Sequence, residues 1–307
     1  LKINEYGVFR ADESSQSEPE YLAGRSEEEV YAALDLPCFP PELREARQEF
    51  EWAEAGGLPD LIATDQIRGD LHMHTSATDG TASIEQMAEA AQARGLSYIA
   101  ITDHSQRVSM AQGLDADRLR RQWEEIDLFN QRHSSDEFQV LKGIECDILE
   151  AGGMDLPDQV LAEADWVLGS VHYGQRQRRD EITRRVLGAL QNPHVDAIAH
   201  PTGRLLNRRP AYEIDMDAVL ETAQSQGKLL ELNANPARLD LNDVLCAKAR
   251  SYGLLIVIST DAHSAAGLDV MRFGILQARR GGLTAQDVAN TRTCQGLLSL
   301  LTRNSKR

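Results

Sequence analysis

The sequence is short of the features that define several broad classes. Its 307 residues contain four cysteines, Cys38, Cys146, Cys246 and Cys294, far apart and without a Cys-x-x-Cys pair. That excludes a disulfide framework and a thiolate zinc site, and points to a reduced, intracellular, cytoplasmic protein. No run approaches the ~18 consecutive apolar residues of a membrane-spanning helix. No charged, apolar and small-residue succession marks a secretory leader, and the first residue is Leu1 rather than Met, so the chain is expected to begin inside a longer protein. Positive charge is scarce. The 32 Lys+Arg face 48 Asp+Glu, a formal −16 at neutral pH, which argues against broad contact with nucleic acid. There is no internal repeat and no low-complexity tract.

What is present suits a globular protein, with 42% hydrophobic and 26% charged residues. The length fits two domains of roughly 150 residues or one α/β barrel of about 250. Acidity is concentrated at the start: residues 1–67 hold 5 Lys+Arg and 16 Asp+Glu, a net −11, leaving −5 for residues 68–307. The opening reads as an extended segment LKINEYGVFR, a polar run ADESSQSEPE, and a helix from Ser26 to Leu34 whose Ser26 and Glu29 have capping-box spacing. PELREARQEFEWAEAGGLPDL reads as one further short helix stopped at Gly56-Gly57. With few apolar residues, this region is expected to pack on something else. A boundary is placed near Asp65, giving segments 1–65 and 66–307.

From Ile67 onward seven apolar runs of strand length alternate with helical patterns: IRGDLH, SYIAIT, FQVLKGI, DWVLGSV, VDAIAH, KLLELN and LLIVIS. Most are continuous, as in parallel strands covered on both faces. Helices are expected after Ser83, which caps IEQMAEAAQAR, and over 117–132, 157–164, 181–191, 217–226 and 242–251. Seven strand–helix repeats mean a barrel or a doubly wound sheet.

Metal-binding residue types stand at or just beyond six of the seven run ends. These are His72 and His74 with Asp79 in the next loop, His104, Glu145, His172, His200, and Asp261 with His263. Six of the eight histidines fall at these points. A lone histidine at a strand end is more often structural, and Asp79 before Gly80 could be a turn residue. Agreement across six run ends outweighs those readings, because strand carboxyl ends of parallel α/β folds share one face. Residues i and i+2 of a strand point the same way, so His72 and His74 can reach one ion. Six imidazoles and three carboxylates exceed the needs of one ion and imply two or three. Nitrogen and oxygen donors without thiolate suit Zn²⁺, Mn²⁺ or Fe²⁺. Such a site suits phosphoester hydrolysis.

The motifs GDLHMHTSATDG, ITDHS, GIECDIL, GSVHYG, AHPTGRLL, ELNANPARLDL and STDAHS resemble the polymerase and histidinol phosphatase, or PHP, domain. HPTGRLL, RLDLND and MRFGILQARRGGL resemble the version at the carboxyl end of bacterial and archaeal family X DNA polymerases, and residues 1–67 resemble the end of the polymerase thumb. The resemblance implies a distorted seven-stranded (β/α) TIM-like barrel with three divalent metals, Mn²⁺ favoured for activity. It implies that His72, His74, Glu145 and Asp261 bind one ion and form the catalytic set. Glu145 would bridge to a second ion held by His172 and His200, and Asp79, His104 and His263 would hold the third. It further implies 3′→5′ exonuclease action on DNA 3′ ends or damaged DNA, with apurinic-site endonuclease and 3′-phosphatase activities, as the processing module of a polymerase core in the same longer chain. Polymerisation is not expected, because the catalytic aspartates of that family lie upstream of the thumb.

Arginines cluster near the ligand-bearing run ends. Arg204 and Arg209 are expected to clamp a phosphate bidentately, with Arg176 nearby and Tyr173 as a stacking candidate, whereas Arg184 and Arg185 read as a solvated helix face. Two other readings compete: a phosphatase for small phosphomonoesters of the histidinol phosphate type, and a non-catalytic structural module. Three divalent ions would add about +6 to the barrel's −5, leaving a metal face able to accept a DNA end.

Overall fold

The computed structural model describes residues 1–10, 18–133 and 138–301. Most of the expected polar run, residues 11–17, lies outside them. Contacts divide the chain into two units, Leu1–Pro59 and Asp60–Arg307. The division falls slightly before Asp65 because the intervening residues pair within the second unit: Ile62 N donates to Leu283 O at 3.0 Å, and Leu61 bridges Thr284.

In the first unit, β1 (Lys2–Asn4), β2 (Gly7–Arg10) and β3 (Glu20–Ala23) form an antiparallel sheet. Helix α1 (Glu27–Ala33) starts at Ser26, whose hydroxyl accepts from Glu29 N, while Glu29 reaches back to Arg25 N. The single helix expected after Pro41 is instead two pieces, a 3₁₀ turn at Pro41–Leu43 and α2 (Glu49–Glu54). Glu49 is buried and accepts from Ala46 N and Arg47 N at 2.7 and 2.8 Å, which stabilises the turn that separates them.

The second unit is a nearly closed barrel. Strands β4 (Gly69–Asp70), β5 (Tyr98–Ile101), β6 (Gln139–Asp147), β7 (Trp166–Ser170), β8 (Ala197–Ile198), β9 (Leu229–Asn233) and β10 (Ile256–Ser259) lie side by side in sequence order, every adjacent pair parallel. Each of the seven apolar runs carries one strand. Between them run α3 (Ile84–Gln92), α4 (Ala116–Arg132), α5 (Asp158–Leu161), α6 (Arg179–Gln191), α7 (Met216–Gln226) and α8 (Asp243–Ser251), followed after β10 by α9 (Met271–Arg280) and α10 (Cys294–Leu300). Ser83 and Gln86 cap α3 reciprocally, as their spacing suggests. Among the described residues no helix is long and apolar enough to cross a membrane.

Alternation along each strand sorts side chains into two cores. Ile99, Ile101, Val140, Ile144, Val167, Ile198, Leu230 and Ile258 belong to the large cluster shared with the surrounding helices. Tyr98, Leu141, Trp166, Leu168, Leu229 and Val257 form a smaller one with Leu297 and Leu301. On β6 the members of the second set continue through Gly143 to Glu145, and on β9 through Leu229 to Glu231 and Asn233, so period-two geometry carries these polar groups to the carboxyl end of the barrel interior.

Strands β4 and β10 flank the one break in the ring. Side chains bridge it. Asp70 accepts from Thr260 N at 3.1 Å and Thr260 Oγ1 at 2.5 Å. Asn290 donates to Gly69 O and Ile258 O, both at 2.7 Å, and accepts from Ile258 N at 3.0 Å. Just beyond, His74 N donates to Ala262 O at 2.8 Å.

Candidate metal centre

Glu145 occupies the middle of the carboxyl-end face and is fully buried. Five imidazoles surround its carboxylate: His104 Nδ1 at 2.7 Å, His200 Nε2 at 2.9 Å, His172 Nε2 at 3.5 Å, His72 Nε2 at 3.6 Å and His74 Nε2 at 3.8 Å. Asp261 forms a second focus, 3.1 Å from His74 Nε2 and 3.5 Å from His72 Nε2. Asp79, at the rim, lies 3.5 Å from both His104 Nε2 and His263 Nε2. All nine residues singled out at the run ends therefore meet in one place. Eight of them fall into three overlapping groups, His72–His74–Asp261, His104–Glu145–His172 and His74–Asp79–His104–His263, in each of which candidate ligand atoms lie within 4.8 Å of one another; the ninth, His200, joins through Glu145, 2.9 Å from its Nε2.

Local backbone accounts for this convergence. Met73 N donates to Thr102 Oγ1, and Met73 itself is buried in the outer core, so His72 and His74 both turn inward. Asp261 and His200 leave strand geometry with φ of 54° and 29°, which re-aims their side chains just past the strand ends. The Asp79 turn is held by Asp103, which accepts from Thr75 N, Thr75 Oγ1, Thr78 Oγ1 and Gln122 Nε2.

The electrostatics are those of a site that expects cations. Burial alone would raise Glu145 and Asp261, yet the neighbouring imidazoles hold both carboxyls well below their ordinary range. Burial likewise disfavours protonated His104, but Glu145 and Asp79 outweigh it and push His104 up to about 10. His72 is raised well above its usual value by Glu231, Asp261 and Glu145 against the cost of burial. His74 is lowered to about 4 by burial and by His104. The buried carboxylates thus depend on positive charge brought close to them, which bound cations would supply in place of protons.

Four buried atoms of these residues, His72 Nε2, His74 Nδ1, His104 Nδ1 and Glu145 Oε2, lack a hydrogen-bond partner, although His104 Nδ1 and Glu145 Oε2 are close. Leaving buried polar atoms unsatisfied is costly. An all-nitrogen-and-oxygen donor set with unpartnered lone pairs fits divalent metal.

The sequence profile of the PHP domain matches residues 70–235, and that of the DNA polymerase beta thumb matches residues 1–45. Over 303 residues, 99% of this chain, the sequence is 46% identical to the Bacillus subtilis (strain 168) protein named DNA polymerase/3'-5' exonuclease PolX. The chain belongs to the PHP domain family. Its relatives there are metal-dependent phosphoesterases. This chain spans about half, 52%, of the PolX relative's length. A protein named probable phosphatase from Thermoanaerobacter sp. (strain X514) is 32% identical over 72% of this chain and 89% of its own. Among solved structures, a histidinol phosphatase candidate from Listeria monocytogenes shares the fold with a TM-score of 0.50 at 14% identity, covering 65% of this chain and 97% of that one.

The cluster also draws in residues that the run-end pattern did not mark. Glu231, on β9, accepts from His72 Nδ1 at 2.7 Å and from His200 N at 2.6 Å. It fixes the His72 ring so that Nε2 faces the cluster. Asp147 lies 3.3 Å from His172 Nδ1 and accepts from His172 N. Asn233 donates to Asp261 Oδ2 at 3.1 Å. Glu231 carries a sequence signal of its own, a charge within the apolar run KLLELN.

The arginines are placed differently from expectation. Arg204 donates to Arg238 O and Leu239 O, and Arg209 donates twice to Gly203 O, so these guanidiniums brace loop carbonyls instead of facing a phosphate site. Arg185, read as solvated, is buried and holds Ile148 O and Tyr173 O. Arg184 and Arg176 are exposed. Tyr173 is half-buried with Arg107 stacked 5.0 Å above its ring. The cation that does line the pocket over Glu145 and Asp261, a cavity of about 310 Å³, is Arg238, whose Nε lies 3.3 Å from Asp261 Oδ2.

Proposed function

We propose that this chain hydrolyses phosphodiester bonds at DNA 3′ ends, as the 3′→5′ exonuclease module of a cytoplasmic family X repair polymerase. The carrying observation is the 46% identity across 99% of the chain to a relative named for both activities, with the thumb match at residues 1–45. A polymerase core in the same longer protein is the natural partner. Apurinic-site endonuclease and 3′-phosphatase activities belong to the same reading.

The residues would hold three ions, Mn²⁺ for activity: one on His72, His74, Glu145 and Asp261, a second on Glu145, His172 and His200, and a third on Asp79, His104 and His263. Bound divalent ions supply Lewis acidity toward phosphoryl oxygens and bring the pKa of water toward neutrality. The chain's own residues set that chemistry up. Glu231 and Asp147 orient His72 and His172. Buried Glu145 contributes both oxygens. Arg238 offers a guanidinium to a non-bridging phosphate oxygen, the role first expected of Arg204 and Arg209.

The test supplies Mn²⁺ and compares a single-stranded oligonucleotide with histidinol phosphate. Stepwise release of mononucleotides from the 3′ end is expected. A second reading, phosphatase action on small monoesters, draws on the 32% identity to a protein named probable phosphatase. Turnover of histidinol phosphate with no release of nucleotides would replace the first reading with the second.

A further inference from the structure

Three side chains of the pocket lining, Val108, Met110 and Ala111, are apolar; the remainder are imidazoles, carboxylates and Arg238. All three belong to the loop between β5 and α4, which leaves the barrel at His104. Val108 and Ala111 are buried, whereas Met110 is 90% exposed.

This loop is firmly held. At its base Leu114 N donates to His104 O at 2.7 Å and Ser105 N to Glu145 O at 3.0 Å. Inside it, Ala111 N and Gly113 N both donate to Val108 O, at 3.0 and 3.1 Å. Gly113 is required there, because a Cβ would collide with the Ser105 carbonyl. Arg118 binds Gln112 O, Gly113 O and Ala77 O, which joins the loop to the turn carrying Asp79. A thioether is thus presented to solvent on a preordered loop, so binding against it orders little additional chain.

We propose that Val108, Met110 and Ala111 form a shelf for the nucleobase of the terminal nucleotide, with Met110 as the residue that distinguishes a base-bearing end from a baseless one. This rests on the reading that the substrate is a DNA 3′ end. A nucleotide has an anionic part and a flat apolar part, and the pocket offers a cation with ligand-type donors for the first and one apolar wall for the second. At about 310 Å³ the cavity is at the small end of the roughly 300–1,000 Å³ typical of ligand sites, room for a single nucleotide unit and too little for a duplex. Sulfur against a π face is favourable and indifferent to base identity, which suits an enzyme that removes successive nucleotides of any sequence.

The test uses the full chain with Mn²⁺ and two hydrolysis-resistant, phosphorothioate-ended single strands, one with a normal 3′-terminal base and one with a terminal abasic sugar. Fluorescence anisotropy gives the ratio of their Kd values. The native chain is expected to prefer the base-bearing end by about 3- to 10-fold, Met110→Leu to keep that preference, and Met110→Ser to bring the ratio close to one. An equal ratio in the native chain and Met110→Ser overturns the shelf, even if DNA is degraded normally. A preference lost only in Met110→Ser supports it, even if the native chain proves unable to release nucleotides from an unmodified strand, in which case the exonuclease reading alone fails.

Discussion

At the amino end of the barrel interior Tyr98, Leu141, Trp166, Leu229 and Val257 fill the space, together with Leu297 of the last helix and Leu301 just past its end. A few residues further along the same strands the interior holds Glu145, Glu231, His72 and His74, just as completely buried, with His104, His200 and Asp261 buried beside them and His172 and His263 half-buried at the rim. One end lowers the free energy by removing apolar surface from water, at about 25 cal/mol per Å². The other spends stability on desolvating charges, which only pairing or cations offset. Stability and chemistry are therefore separable along one axis of one barrel, and substitution at each end should damage a different property.

The strongest test is at the polar end. Glu145→Ala or His72→Ala is expected to abolish hydrolysis, a fall of at least about 1,000-fold, while the circular dichroism spectrum stays native, since neither residue belongs to the apolar cores that hold the barrel. Unchanged nuclease activity in either variant would refute the assigned centre. At the apolar end Trp166→Ala removes a fully buried ring whose Nε1 donates to Leu71 O at 2.9 Å. It should cost about 3–5 kcal/mol in urea unfolding with metal affinity retained in the folded fraction; a lost centre with unchanged stability would break the comparison. Thorough chelation should end hydrolysis and lower stability by the mass-action contribution of the ions, about 2.7 kcal/mol where free metal had been 100-fold above Kd. A melting temperature indifferent to chelator would mean that the charges balance one another unaided. The smallest effect is expected from Asn290→Ala at the ring's break, about 1–3 kcal/mol from unpaired strand carbonyls and an unpaired Ile258 N–H, measured by the same unfolding curve.

Much of this division was legible in the sequence. Continuous apolar runs identified all seven strands because parallel strands are covered on both faces, and histidines stand out where such runs stop. Helix α9 was harder: it has no side-chain cap and emerges directly from a 3₁₀ segment, so its start carries no local signal. The roles of Arg204, Arg209 and Arg185 were illegible for another reason. A guanidinium near a strand end can face the site or a loop carbonyl, and the choice depends on which carbonyls the loops leave unpaired, a property of tertiary structure. Glu231 was missed because attention followed histidine, although its burial within an apolar run carried the information.

The break between β4 and β10 gives the centre a mechanical meaning. His72 and His74 follow the first strand of the ring and Asp261 the last, yet their ligand atoms come within 4.8 Å of one another. An ion held by these three would act as a clasp on an open hoop, tying the barrel's two free edges where Asp70 and Asn290 already hook them. Loading the centre and tightening the ring would then be one event, and the rigidity of the barrel would report on the metal it carries.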